Sequence, residues 1–178
     1  MRIGTASSVK LAMLAVFMIV VSCGTPCVAL AAGIEKGQVE ISGSGGSYGG
    51  IGMLNGAVGT AATDRAFVMG EFSYIPGKDF YSVSFKGYGF AGGVQYMFPL
   101  SSEKLVPYAA GGLSYLRFVA SASGLDQDIG LGGTGIYFGG GLRYYVSDRW
   151  GFRPELTFHT GSWAGVRLQM GLFYQFGK

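Results

Sequence analysis

Charged side chains are scarce in this sequence. They make up 13% of its 178 residues, about half of the roughly 25% that is usual in globular proteins. Arg2 and Lys10 supply two of the 13 basic residues, so residues 32–178 carry 11 basic and 10 acidic side chains. This balance argues against a nucleic-acid-binding surface, and so few charges could not easily cover a water-soluble surface.

The sequence also lacks an apolar run long enough for a transmembrane helix. Its longest run, residues 11–21, has 11 residues, whereas a spanning helix needs about 20. The run follows two cations and leads to the small residues Ala29-Leu30-Ala31. This order predicts a secretory signal peptide over residues 1–31 that is cleaved after Ala31. Residues 32–178 then form one domain.

Cysteine is nearly absent. Both cysteines, Cys23 and Cys27, fall in the predicted signal peptide and would be removed with it. An alternative interpretation is that Val20-Val21-Ser22-Cys23 is a lipoprotein cleavage site with Cys23 acylated, although the position three residues before the cysteine holds Val where Leu is usual.

Helical periodicity is missing from residues 32–178, and alternation with a period of two takes its place. It is clearest near the C-terminus, where every second residue from Val166 to Phe176 is apolar. The pattern predicts an all-β fold, an eight-stranded antiparallel up-and-down barrel that spans a membrane. The predicted strands are 37–47, 50–61, 66–75, 81–98, 106–120, 134–146, 150–161 and 164–176. Tight turns are predicted at Asp64-Arg65, Glu103-Lys104 and Asp148-Arg149, and longer loops at 76–80 and 121–133.

The charged side chains of these strands fall mainly on one face. Three acidic and three basic residues share it, while the other face is apolar, as expected where lipid surrounds a barrel. An eight-stranded barrel is just wide enough for side chains to fill it, and buried charges persist only when paired. We therefore predict an ionic network that plugs the interior, formed by Glu40, Glu71, Glu155, Arg143, Arg153 and Arg167. Two other cations, Lys86 and Arg117, fall on the apolar face near the longer loops.

The end of the sequence carries a recognisable motif, Gln169-x-Gly171-x-x-Tyr174-x-Phe176. With the eight alternating segments, it resembles the outer-membrane beta-barrel domain family, the small eight-stranded barrels of the OmpA and OmpX kind. The resemblance implies that Gln169, Gly171, Tyr174 and Phe176 form the C-terminal signal read by the barrel-assembly machinery. That family usually ends on the last aromatic, whereas Gly177 and Lys178 follow here. It also implies residence in the bacterial outer membrane, in contact with its lipids.

Several motifs could indicate other chemistry. Gly87-x-Gly89-x-x-Gly92 and Gly130-x-Gly132-x-x-Gly135 match a dinucleotide fingerprint, but neither leads into the helix that this chemistry needs, so no cofactor is expected. His159 with Ser162 and Glu155 could serve a lipid hydrolase, although lipid A deacylases carry the serine where this chain has Gly161. Asp126 and Asp128 in loop 121–133 could contact a surface ligand or cation, but two carboxylates are an incomplete metal site.

From these patterns we expect a non-enzymatic outer-membrane barrel with a structural, envelope-stabilising or surface-interaction role. The alternatives are a narrow porin-like channel for small solutes and, more remotely, a lipid-modifying hydrolase.

Overall fold

A computed structural model describes residues 34–80, 83–98, 104–122 and 129–177. They form a closed barrel of eight antiparallel strands in which each strand pairs with its neighbours in sequence and β1 pairs with β8. The strands are β1 (Val39–Tyr48), β2 (Ile51–Ala61), β3 (Ala66–Phe80), β4 (Val83–Met97), β5 (Leu105–Ala122), β6 (Ile129–Tyr145), β7 (Trp150–His159) and β8 (Gly165–Phe176). The predicted fold is confirmed. The predicted signal peptide, Cys23, Asp126 and Asp128 lie outside the described residues.

Two predicted loops were wrong. Residues 76–80 belong to β3, which continues to Phe80 after a bulge that places one more residue on β3 than on β4 between Ile75 and Lys78. Pro76 lies in this bulge, where its missing N–H breaks no regular ladder bond. The loop predicted at 121–133 is also too long, because β5 extends to Ala122 and β6 begins at Ile129. The first residues of β6 are mostly glycine, so they show no alternation of side chains.

The two ends of the barrel differ in their connections. At the end that we call the turn end, Thr63 Oγ1 accepts hydrogen bonds from the backbone N–H groups of Arg65 and Ala66. Ser147 Oγ accepts one from Arg149 N in the corresponding turn before β7. These local side-chain bonds explain the tight turns predicted at 64–65 and 148–149. We call the opposite end the loop end.

The outer surface of the barrel is apolar. In β8 the residues alternate between buried and exposed, and Leu54 and Leu113 are 58% and 69% exposed on the outer face. Lys86 and Arg117 are also exposed on this face. Such a largely apolar exterior is expected where lipid, and not water, surrounds a barrel. Among the described residues, no helix is long and apolar enough to cross a membrane.

The turn end of the interior is filled by an apolar cluster. Ile34, which precedes β1, is buried in it with Phe67, Met97 and Val106. The segment before β1 is fixed in place by hydrogen bonds from Gly37 N to Ala61 O (2.8 Å) and from Lys36 N to Asp64 Oδ1 (3.2 Å). The chain therefore closes this end of its own barrel.

Candidate functional site in the barrel interior

The six charged residues predicted for the interior all point inward. Alternation along each strand places them there, and Arg143, Arg153, Glu40, Glu155 and Arg167 are buried, while Glu71 is half-buried. The structure brings them together into two groups. We call these groups the Glu40 cluster, nearer the turn end, and the Glu155 cluster, nearer the loop end.

In the Glu40 cluster, one carboxylate receives donors from three strands. Glu40 accepts hydrogen bonds from both terminal nitrogens of Arg143, from Arg153 Nη1 (2.9 Å) and from Gln175 Nε2 (3.1 Å). The Arg143 guanidinium also lies 5.1 Å from the ring centre of Phe67 and 5.2 Å from that of Phe173. These cation–π contacts connect the charged cluster to the apolar cluster at the turn end.

In the Glu155 cluster, each oxygen of the central carboxylate accepts two hydrogen bonds. Glu155 Oε1 accepts from Arg167 Nη2 (3.0 Å) and Gln169 Nε2 (2.7 Å). Its Oε2 accepts from Tyr108 OH (2.7 Å) and Gln95 Nε2 (3.3 Å). Arg167 also forms an ion pair with Glu71. A buried carboxylate with four donors meets the condition under which an internal charge is tolerated.

Gln95 links the two clusters. Its Nε2 donates to Glu155, and its Oε1 accepts from Arg143 Nη2 at 2.7 Å. Asn55 joins the network by donating to Gln169 Oε1 at 2.8 Å. All eight strands therefore contribute a side chain to one connected interior network.

Sequence reasoning had not assigned the uncharged members of this network. Gln95, Gln175, Tyr108 and Asn55 are inward-facing, so alternation could have placed them inside, but nothing in the sequence marked them as partners of particular charges. Gln169 was predicted only as part of the assembly signal. It does lie in β8 with Gly171, Tyr174 and Phe176 as the motif requires, but its side chain is bonded inside the barrel.

The aromatic residues of the predicted assembly signal face outward. Tyr174 and Phe176 are 39% and 46% exposed and pack edge to face, with ring centres 4.8 Å apart. Gly171 faces inward, where a Cβ atom would lie 2.9 Å from the Cβ of Ser44. Glycine therefore allows β8 to pack closely against β1 at this position.

Two small cavities lie among the described residues of the interior. A cavity of about 10 Å³ lies between Glu71, Gln95, Glu155, Arg167 and neighbouring side chains. A second cavity of about 30 Å³ lies at the loop end beside Tyr48, Ser114, His159 and Trp163. A buried water needs about 10 to 15 Å³, so these cavities have room for single water molecules.

His159 lies between two aromatic rings at the loop end. Its ring centre is 5.2 Å from that of Tyr48 and 5.6 Å from that of Tyr137, and its nitrogens face the hydroxyls of Ser114 (3.4 Å) and Thr157 (3.3 Å). The proposed hydrolase group of His159, Ser162 and Glu155 is not linked by hydrogen bonds among the described residues, because the four donors to Glu155 come from elsewhere. No group of three His, Cys, Asp or Glu side chains in the described part of the chain could hold a metal ion.

Comparisons with known proteins agree with this architecture. The N-terminal β-barrel domain of Pseudomonas aeruginosa OprF has a TM-score of 0.67 and 20% identity, covering 79% of this chain and 98% of that one. OprG of the same organism has a TM-score of 0.61 and 12% identity, covering 83% and 99%. Ail of Yersinia pestis, in complex with the heparin analogue sucrose octasulfate, has a TM-score of 0.57 and 16% identity, covering 79% and 99%. At these identities the similarity shows a shared fold.

No curated protein matches the chain. Residues 12–176 match the family model described as the outer membrane protein beta-barrel domain. The match spans all eight strands described above and agrees with the apolar exterior and the closed eight-stranded topology. The chain therefore belongs to the outer membrane protein beta-barrel domain family and is a β-barrel protein of the bacterial outer membrane.

Proposed function

We propose that this protein is a non-enzymatic, non-conducting barrel that stabilises the outer membrane as a plugged structural element. The observation that supports this role is the filled interior. Three glutamates and three arginines give it a formal charge of zero, and the two interior cavities lined by described residues measure about 30 and 10 Å³. An ion that crossed this interior would have to separate buried ion pairs, and a buried charge without its partner is strongly unfavourable.

The exterior supports the lipid contact that this role needs. A band of exposed apolar side chains surrounds the barrel, so outer-membrane lipids are the partners that its surface fits. We also propose that Gln169, Gly171, Tyr174 and Phe176 are read by the barrel-assembly machinery during insertion. The exposed rings of Tyr174 and Phe176 are accessible for that contact. We also propose that the protein is exported through a signal peptide that is cleaved after Ala31. The mass of the mature protein would distinguish this cleavage from acylation at Cys23.

Current recordings across a planar lipid bilayer would test the plug. The protein, purified from outer membranes and confirmed as folded by its heat-dependent gel mobility, should insert without steady unitary conductance. The Arg153→Ala and Glu155→Ala variants should lose stability while remaining silent at moderate voltage. Steady unitary currents that change in size with these substitutions would contradict the proposal and identify the protein as a narrow channel.

A further inference from the structure

The strands of this barrel end at different heights at the loop end. β6 has 17 residues, whereas β7 has only 10. Their pairing ends at Tyr137↔His159, so β6 continues for eight further residues to Ile129 (137 minus 129). The connection after β7 follows β6 a little further, and its last hydrogen bond runs from Ser162 N to Thr134 O (3.4 Å). Within the described part of the chain, β6 before Thr134 therefore has a free edge on the side away from β5.

The backbone groups of two glycines face this free edge. In an antiparallel strand, the N–H and C=O of one residue point to the same side, and residues two apart repeat that direction. Thr134 O points toward the β7–β8 connection, so the N–H and C=O groups of Gly132 and Gly130 point to that side as well. No described residue bonds them there. Two N–H and two C=O groups in strand geometry are thus open to an incoming chain.

The free edge of β6 lacks the features that protect most strand edges. Natural edges are blunted by proline, by bulges or by charged side chains. β3, which forms the opposite edge of the protruding sheet, has two of these features, because it carries Pro76 and a bulge between Ile75 and Lys78. On β6, by contrast, the edge-facing residues Gly130 and Gly132 have no side chains. β6 is therefore the edge that can accept a further strand.

The free edge lies above the apolar band of the membrane. Gly132 is 12 residues along β6 from Tyr144 (144 minus 132), an exposed aromatic residue at the turn end. At a rise of about 3.3 Å per residue and a tilt of about 40°, 12 residues span roughly 30 Å of height, whereas the apolar band is about 25 Å tall. Acyl chains therefore do not cover this edge.

Side chains flank the free edge on both faces of β6. On the outer face, a Cβ atom on Gly130 would lie 2.9 Å from Arg117 Nη2, and one on Gly132 would lie 2.6 Å from the hydroxyl of Tyr115. Both β5 side chains therefore reach across β6 toward its edge. On the opposite face, Leu131 is 60% exposed. A strand added here would meet a cation and a hydroxyl on one face and an apolar side chain on the other.

A second copy of the chain in the same membrane fits this edge poorly. Two such copies would be related by a two-fold axis along the membrane normal, so both β6 strands would rise in the same direction. With a tilt of about 40° for each strand, the two edges would cross at about 80° and could not pair over several residues. A segment that is not inserted in this membrane has no such restriction.

We propose that the edge of β6 at Gly130 and Gly132 binds an extended segment of another protein as an added antiparallel strand. The backbone of the two glycines pairs with that of the segment, while Arg117 contacts an acidic side chain on the outer face and Leu131 an apolar one on the inner face. In this mode of recognition, main-chain hydrogen bonds supply affinity and alternate side chains supply selectivity.

Fluorescence anisotropy of a labelled synthetic peptide would test the site, with the full protein folded in detergent. The peptide TVEVTVEV alternates polar with apolar residues and carries glutamates on its polar face. Gly132→Pro removes an N–H that points away from β5, so the β5–β6 ladder stays intact. Its matched control, Gly132→Ala, adds a similar Cβ atom but keeps the N–H. The peptide should bind G132P about fivefold more weakly than G132A, the usual contribution of one hydrogen bond.

Methylated peptides test the backbone pairing without changing the protein. Residues opposite Gly130 and Gly132 turn both their side chains and their N–H groups as those glycines do, so the N–H groups of the two glutamates face β6. Methylation of those two backbone nitrogens should abolish binding, whereas methylation of two valine nitrogens, which face away, should preserve it. This comparison holds even if G132P does not fold, which its gel mobility before and after heating would show.

Two further variants test the charge at the edge. R117Q should weaken binding of the glutamate peptide about threefold, the usual contribution of an exposed ion pair, and should leave binding of TVTVTVTV unchanged. Asp126 and Asp128 precede the edge and their side chains lie outside the described residues; D126N/D128N should not weaken binding. A loss in that variant equal to the loss in G132P would place the contact in the loop and overturn the proposal.

Three other results would also overturn it. They are the absence of saturable binding of TVEVTVEV, equal affinities of the two methylated peptides, and equal affinities of G132P and G132A. Self-association of the unsubstituted protein that disappears in G132P, without peptide binding, would instead identify the edge as a contact between copies of this chain.

Discussion

Removal of Arg143 should destabilise the barrel more than any substitution of an exposed cation. The Arg143 side chain is fully buried, pairs with Glu40 and donates to Gln95. Arg143→Met leaves the interior with one excess negative charge and removes a donor from a buried carboxylate. Breaking a buried pair on one side costs about 3 to 5 kcal/mol. With a denaturant dependence of about 2 kcal/mol per molar urea, the unfolding midpoint should fall by roughly 2 M.

Urea unfolding in lipid vesicles, followed by tryptophan fluorescence, would measure this change, with Lys104→Met at the turn end as the matched control. The control should shift the free energy of unfolding by no more than about 0.5 kcal/mol. Glu40→Gln combined with Arg143→Met restores a neutral interior, so the double variant should be more stable than the sum of the single effects predicts, by roughly 2 kcal/mol. The reasoning fails if Arg143→Met unfolds like Lys104→Met, or if the two interior substitutions are simply additive.

Three further substitutions test other parts of the structure. Ile34→Asp should release the segment before β1 from the turn end, since it removes about 1.5 to 3 kcal/mol of apolar burial; limited proteolysis should then cut that segment while the barrel keeps its gel mobility. Gly93→Val should lower the free energy of unfolding by about 1 to 3 kcal/mol, because a Cβ there would collide with the hydroxyl of Tyr137. Its control is Gly92→Val, whose added side chain meets open space on the outer face. The control should leave the free energy of unfolding nearly unchanged in the same urea assay. Phe176→Ala should reduce the amount of folded barrel in outer membranes of expressing cells, whereas the purified variant should refold in detergent as the unsubstituted protein does; equal amounts in membranes would contradict a role for this ring in assembly.

The fold could be predicted from sequence because polar and apolar side chains alternate along most of the strands. β8 shows this best, since its inward and outward sets are both complete from Val166 to Phe176. The start of β6 could not be predicted because Gly130, Gly132 and Gly133 carry no side chains to alternate. The extension of β3 was hidden by Pro76, which usually ends a strand but here lies in a bulge.

The interior could be predicted as a set of residues but not as a set of contacts. Alternation placed Glu40 and Arg143 on the inner face, yet 103 residues separate them. Which charges meet across a barrel depends on the stagger of its strands, and a single sequence does not reveal that stagger. The same limit concealed the bridging position of Gln95, whose partners lie 48 and 60 residues away.

The contribution of β8 to the interior network bears on how the barrel forms. This last strand supplies Arg167 to Glu71 and Glu155, and Gln175 to Glu40, its direct partner across the β1–β8 junction. Until β8 pairs with β1, these carboxylates lack the donors that β8 supplies, and those acceptor positions must stay hydrated within an open sheet. Joining the first and last strands therefore expels that water and completes the donor set in a single event, so dehydration of the lumen and closure of the barrel should be one cooperative transition.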